Sequence, residues 1–334
     1  MEKAIKMLIG HGEFRYRIDA AWSKADPQRT PVRDCHEMVA TDDGRLFLLT
    51  NCPQNNVLVY DTDGHLLNSW TLGFEEAHGL SVFGSSLYIT NTDAGVVVKT
   101  SLDGTVEMQL PHPHACGAYG PSDAYCPTET AVAPNGDIYV ADGYGSQHVL
   151  RFDSVGRYLG KFGGKGAQPI RTGKFLQVHG VAIDTRGDVP LVVCTERIRN
   201  ELVWFTLDGE YVKTVYLPGA YLSRPVIAGR HLYSAVCFGI YPDDFRMWQN
   251  RGFVTVLDDR DRVVSNPGGC EPSIEANGCS RCFRTSRCSG IAMTSAWIRQ
   301  AISMCASGAA GRFIPISFIG NADDGREEFC QWHP

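Results

Sequence analysis

A chain of 334 residues is long enough for two average domains of about 150 residues or for one large β architecture. With 43% hydrophobic and 20% charged residues it can bury a large core, and a net charge of −6 lacks the basic surplus that phosphate-tracking nucleic-acid binders need. No run approaches the roughly 18 to 20 apolar residues of a membrane-spanning helix, so the sequence predicts a soluble protein with neither nucleic-acid nor membrane partners.

The opening MEKAIKMLIGHGEFRYRID holds only a short apolar run, Met7 to Ile9, before glycine and charge. That is too little for a secretory signal core, and a cytoplasmic location is the expectation. The first 268 residues then repeat one grammar: an apolar run, a turn rich in Gly, Asn or Asp, a second β-type run, a longer loop, and a third run closing on a hairpin. In order, the segments begin at EMVATDDGRLFLLT, HGLSVFGSSLYIT, TETAVAPNGDIYVAD, HGVAIDTRGDVPLVV and RPVIAGRHLYSAV. Their hairpin turns are VYDTDGHLL, KTSLDGTVE, RFDSVGRYL, WFTLDGEYV and VLDDRDRVV. Asp-Gly supplies the positive backbone dihedrals of a tight hairpin, and the flanking Val, Tyr, Leu and Phe suit pleated strands.

A repeat of roughly 40 to 50 residues with four short strands and almost no helical periodicity matches the blades of a β-propeller. A β-sandwich competes, but sandwiches need no such repeated turn grammar. The prediction is an all-β, six-bladed β-propeller, with an N-terminal segment and five blades in residues 1–272 and a disrupted sixth in 273–334.

From about Ser273 the grammar stops, and segments such as GCSRCFRTSRCSG show neither strand nor helix period. One reading is an irregular tail. A sharper one comes from back-translating Ser303 to Gly320 with the reading window moved by one nucleotide, where allowed wobble letters spell LYVCQWGSG, one variable residue, then VYPYQLHR. The Val is forced, since Met304 has a single codon. This string has the missing blade's grammar, so the coding sequence is expected to carry a frameshift between about Pro272 and Ser303. Six of the 12 cysteines (270, 279, 282, 288, 305 and 330) crowd into this region, while Cys35, Cys52, Cys116, Cys126, Cys194 and Cys237 are scattered and read as buried free thiols. The single CxxC of Cys279 and Cys282 lacks the second pair a structural zinc site needs.

In a propeller, residues at one repeat position in different blades meet at the axis. His36, His78 and His179 each stand at the head of a blade's first strand, so three imidazoles can form an open Zn²⁺ site, or serve as hydrogen-bonded structural residues. KFGGKG, Lys161 to Gly166, lacks the full phosphate-loop pattern and reads as an inter-blade turn. Asp142 is open to a calcium-ligating or supporting role as well as to fixing a strand-end turn.

Over about Gly12 to Gly269, the stretches AHGLSV, PTETAVAPNGDIYVADGYG, GKFLQVHGVAID, SRPVIAGRHLY and RVVSNPGG resemble the NHL-repeat six-bladed propellers. Within them, the chain is similar to the branch of peptidyl-α-hydroxyglycine α-amidating lyase and its bacterial relatives. The resemblance implies a lyase that binds Zn²⁺ through blade-head histidines and splits a carbinolamide C–N bond, releasing a peptide amide and glyoxylate. It places zinc ligands at His78 and His179, the active-site tyrosine at Tyr144, alternatively a plain hairpin aromatic, and an arginine at Arg197. The family's third zinc histidine, in a PHD-type motif of the last blade, has no counterpart in the sequence, and Leu48-Leu49-Thr50-Asn51 replaces a His-Arg pair. His36 is the candidate substitute ligand. The expectation is therefore a monomeric zinc lyase acting on a small-molecule or peptide substrate, with activity lost if those departures matter. The alternatives are a non-catalytic scaffold gripping a peptide or protein and, less compatible with a histidine-rich centre, a calcium-dependent lactonase propeller.

Overall fold

The computed structural model describes residues 7–19, 22–166, 172–241, 244–248, 252–272, 274–275 and 278–279. The expected frameshifted blade therefore lies almost wholly outside the described residues. The chain begins with a hairpin of β1 (Met7–His11) and β2 (Phe14–Ile18). Five antiparallel sheets follow, each laid down in sequence order from the inside outward.

Blade one is β3 (Cys35–Ala40), β4 (Leu46–Thr50), β5 (Val57–Tyr60) and β6 (Leu66–Trp70). Blade two is β7 (Ala77–Phe83), β8 (Ser86–Asn91), β9 (Val96–Ser101) and β10 (Val106–Gln109). Blade three is β11 (Glu129–Val132), β12 (Ile138–Ala141), β13 (His148–Phe152) and β14 (Tyr158–Gly163). Blade four is β15 (Val178–Asp184), β16 (Leu191–Glu196), β17 (Glu201–Phe205) and β18 (Tyr211–Tyr216). Blade five is β19 (Tyr221–Ala228), β20 (His231–Tyr241), β22 (Phe253–Leu257) and β23 (Val263–Ser265), with β21 (Asp244–Trp248) pairing β20 beyond the sheet. A short pair, β24 (Ile274–Glu275) and β25 (Gly278–Cys279), comes last.

Composition tracks position in the blade. Second strands such as β4 (LFLLT), β8 and β12 are buried along their whole length, because blades stack on both faces and no polar face is needed. Outer strands β6, β10 and β18 are largely exposed and carry polar side chains. The core is a series of layers between neighbouring blades: Phe47 and Leu49 meet Leu80 and Ile89, Tyr139 and Val149 meet Val181 and Val192, and Trp204 and Leu202 meet Leu232 and Phe253.

Residues before blade one seal both ends of this stack. Ile9 and Phe14 cover Tyr233, Ala235, Val254 and Val256 on the open face of blade five. Trp22 covers Met38, Leu48, Leu58 and Tyr60 on the open face of blade one. Of the scattered cysteines, Cys35, Cys52, Cys194 and Cys237 are buried as expected, but Cys116 and Cys126 are only half-buried. The KFGGKG stretch ends β14 and leads on toward blade four, with Gly163 and Gly164 at φ +77° and +89°.

Candidate functional site

Four of the five innermost strands are irregular at the same place. Pairing slips between Cys35 and Glu37 in β3, Ala77 and Leu80 in β7, Val178 and Gly180 in β15, and Leu222 and Pro225 in β19. Such a bulge takes residues out of the ladder and re-aims their side chains. The residues so released are His36, His78, His179 and the Ser223-Arg224 pair. Glycine follows two of the histidines for a steric reason. A Cβ at Gly79 would lie 2.4 Å from the Thr128 carbonyl oxygen, and one at Gly180 would lie 2.8 Å from that of Ser223.

The His78 ring centre is 4.8 Å from that of His36 and 5.0 Å from that of His179. Nδ1 of His78 donates to the Thr128 carbonyl at 2.8 Å, which leaves Nε2 as the accepting nitrogen of the neutral ring. Tyr144 stands in the turn after β12, where its oxygen lies 3.3 Å from His78 Nε2 and 3.0 Å from His179 Nε2. Arg197 donates to the same oxygen from Nη1 at 3.4 Å. The tyrosine residue is 41% exposed, so a ligand can reach it.

The supports of this cluster are built in. Asp142 accepts from Tyr119 Oη at 2.6 Å and from the Cys126 and Ser146 amides at 2.7 and 2.6 Å, fixing the turn that carries Tyr144. Burial pushes its carboxyl up to about 6, against the pull of those hydrogen bonds. Gly143 is required there, because a Cβ would lie 2.2 Å from the Val178 carbonyl oxygen. The Arg197 guanidinium donates to the Leu222 carbonyl at 3.2 Å and to Ser223 Oγ at 3.1 Å, with Cys237 Sγ 3.5 Å away.

A second layer lies one residue further along the inner strands. Arg224 donates from Nη1 to Glu37 at 3.2 Å and to the Leu80 carbonyl at 2.7 Å, and its Nε is 3.9 Å from Glu129. Both glutamates are 2% exposed. Burial drives the Glu129 carboxyl well above its usual range, Arg224 opposes this, and the Glu37 charge adds to the rise. Sequence reasoning missed this layer, although a signal existed: the residues after the five blade heads are Glu37, Gly79, Glu129, Gly180 and Arg224, with opposite charges at one repeat position.

All five sequence-derived site residues, His36, His78, Tyr144, His179 and Arg197, thus lie in one cluster. In kind, three imidazoles suit Zn²⁺. In arrangement the fit is incomplete, because Tyr144 Oη stands between two of the nitrogens. Among the described residues no group of three or more His, Cys, Asp or Glu side chains is disposed to hold a metal ion. At the replaced His-Arg position, Leu48 and Leu49 are buried on opposite faces of β4, and Asn51 Oδ1 accepts from the Asp34 amide at 2.9 Å.

The NHL repeat model matches residues 125–152, which span β11 to β13 and include Tyr144. The human protein NHL repeat-containing protein 3 is 28% identical over 190 aligned positions, covering 52% of this chain and 52% of that protein. The chain is a β-propeller that carries an NHL repeat in its third blade. The chain spans about half the length of the curated relative it matches. The propeller also resembles virginiamycin B lyase from Staphylococcus aureus, with a TM-score of 0.50 and 14% identity over 74% of this chain and 76% of that one. That likeness is one of fold. Among the described residues no helix is long and apolar enough to cross a membrane.

Proposed function

We propose that this propeller is a lyase that cleaves the C–N bond of a carbinolamide, yielding an amide and glyoxylate. The observation that supports it best is the Tyr144 oxygen set between two imidazole nitrogens and a guanidinium. Tyr144 Oη takes the proton of the substrate hydroxyl while giving up its own. As the carbon–oxygen double bond forms and the C–N bond breaks, that proton goes to the departing amide nitrogen, so atoms and charge balance. Arg197 holds the substrate carboxylate or the oxygen on which negative charge gathers. A Zn²⁺ ion held by His78 and His179, with His36 as third ligand, would supply Lewis-acid polarisation of the same oxygen.

The test is glyoxylate release from N-benzoyl-α-hydroxyglycine by the full chain, together with its metal content. The reading expects turnover that falls about 10²- to 10⁴-fold in Tyr144→Phe. It also expects roughly one zinc per chain, lost on replacing His78 or His179. Folded, zinc-supplied protein without turnover would overturn it in favour of a peptide-binding scaffold, and His36→Ala with full zinc content would remove His36 from the ligand set.

A further inference from the structure

Away from the channel, a cavity of about 330 Å³ lies between blades three and four. Its walls include Lys161, Lys174, His148 and the rings of Phe162, Phe205 and Tyr211. Lys161 Nζ donates to the Ala118 carbonyl at 2.6 Å and lies 4.7 Å from the centre of the Tyr119 ring. Lys174 Nζ donates to the Gly163 carbonyl at 2.5 Å. Neither lysine is in an ion pair among the described residues, and each ammonium has three N–H groups, of which these contacts use one.

His148 adds an unmet polar atom. Its Nδ1 is buried and has no hydrogen-bond partner among the described residues. The imidazole is pushed down to about 4, first by burial and then by Lys161 and Lys174, which places both cations close enough to act on it. The ring is held in place by Tyr119, with centres 5.6 Å apart, and by the backbone of Gly164, where a Cβ would lie 2.7 Å from His148 Nε2. The neighbouring glycine-rich turn offers no backbone anion nest, since the Gly164 and Gly166 amides already donate to Gln147 and Phe175. Any anion here is therefore held by side chains.

We propose that this cavity binds a small organic anion, a carboxylate or phosphate monoester carried on a flat apolar body. The uncompensated lysines take the charged end, and Phe162, Phe205 and Tyr211 take the flat part. The site is separate from the histidine cluster and does not depend on the lyase reading. Calorimetric titration of the full chain with phenyl phosphate and with benzoate tests it, with neutral benzamide and inorganic phosphate as controls. The proposal expects saturable binding of at least one aromatic anion, roughly tenfold or more tighter than either control, and roughly tenfold weaker in Lys161→Met/Lys174→Met. Unchanged melting of that variant shows that the loss is not unfolding. Phenyl phosphate against benzoate decides which anion is preferred. No saturable binding at millimolar concentration, equal binding of benzamide or inorganic phosphate, or full binding by the double variant would each overturn the proposal.

Discussion

Replacing Arg224 with methionine keeps most of the side chain's stem but strands two carboxylates at the centre of the ring. Unit charges 3.2 and 3.9 Å apart, the separations from Glu37 and Glu129, attract by roughly 5 and 4 kcal/mol at an effective dielectric of about 20. The cost of drying the guanidinium offsets much of that sum, and deleting one partner of a buried pair costs about 3–5 kcal/mol. The loss should depend on pH in a definite sense. The folded-state value of Glu129 lies above its ordinary 4.5, so its burial penalty is absent at low pH, where the carboxyl is neutral in both states. The penalty grows as pH rises from the unfolded value toward the folded one, and without Arg224 it grows further. Urea unfolding should therefore show Arg224→Met destabilised by about 3–5 kcal/mol near neutral pH and by a smaller amount near pH 5. Adding Glu129→Gln should recover part of the loss. A deficit equal at both pH values, or below about 1 kcal/mol near pH 7, would refute the assignment of these three residues as one electrostatic unit.

Gly180→Ala drives a Cβ to 2.8 Å from both Arg224 Cα and the Ser223 carbonyl oxygen, neither of which is the end of a flexible side chain. It should cost about 1–3 kcal/mol and displace His179, seen as a lower melting temperature and changed His179 ring resonances; a wild-type melting curve would contradict the close approach. Phe14→Ala removes an aromatic ring 4.9 Å from His231 and 6.5 Å from Tyr233, worth about 3–5 kcal/mol of hairpin docking. Limited proteolysis should then cut near the Gly12–Glu13 turn while blades two to four stay protected, and unchanged resistance at that turn would count against the docked hairpin.

Much of the ring was legible because propeller blades are local. The glycines of four closing hairpins, Gly64, Gly104, Gly156 and Gly209, have φ of +84°, +90°, +82° and +88°, the dihedrals their turn sequences require. The fifth turn has no glycine and uses Asp261 at φ +58°. Circular repetition likewise made the grouping of His78 with His179 readable, since equal repeat positions converge on one axis. What the sequence hid was long-range. The Glu37–Arg224 contact joins residues 187 positions apart and becomes visible only once the blades are arranged in a ring. The bulges that aim the histidines leave no clear mark in residue type. The covering of blade five by β1 and β2 was missed because two short strands do not reveal which distant surface they will meet.

That covering imposes an order on assembly. The His11 amide bonds to Ser265 Oγ at 3.2 Å, a contact spanning 254 positions, so a segment synthesised before blade one waits for blade five before it can settle. Closing so long a loop is slow, and until it happens the apolar side of blade five is available to other chains. Bulky fusions ahead of Met7 should therefore promote aggregation during production more than they alter the finished protein.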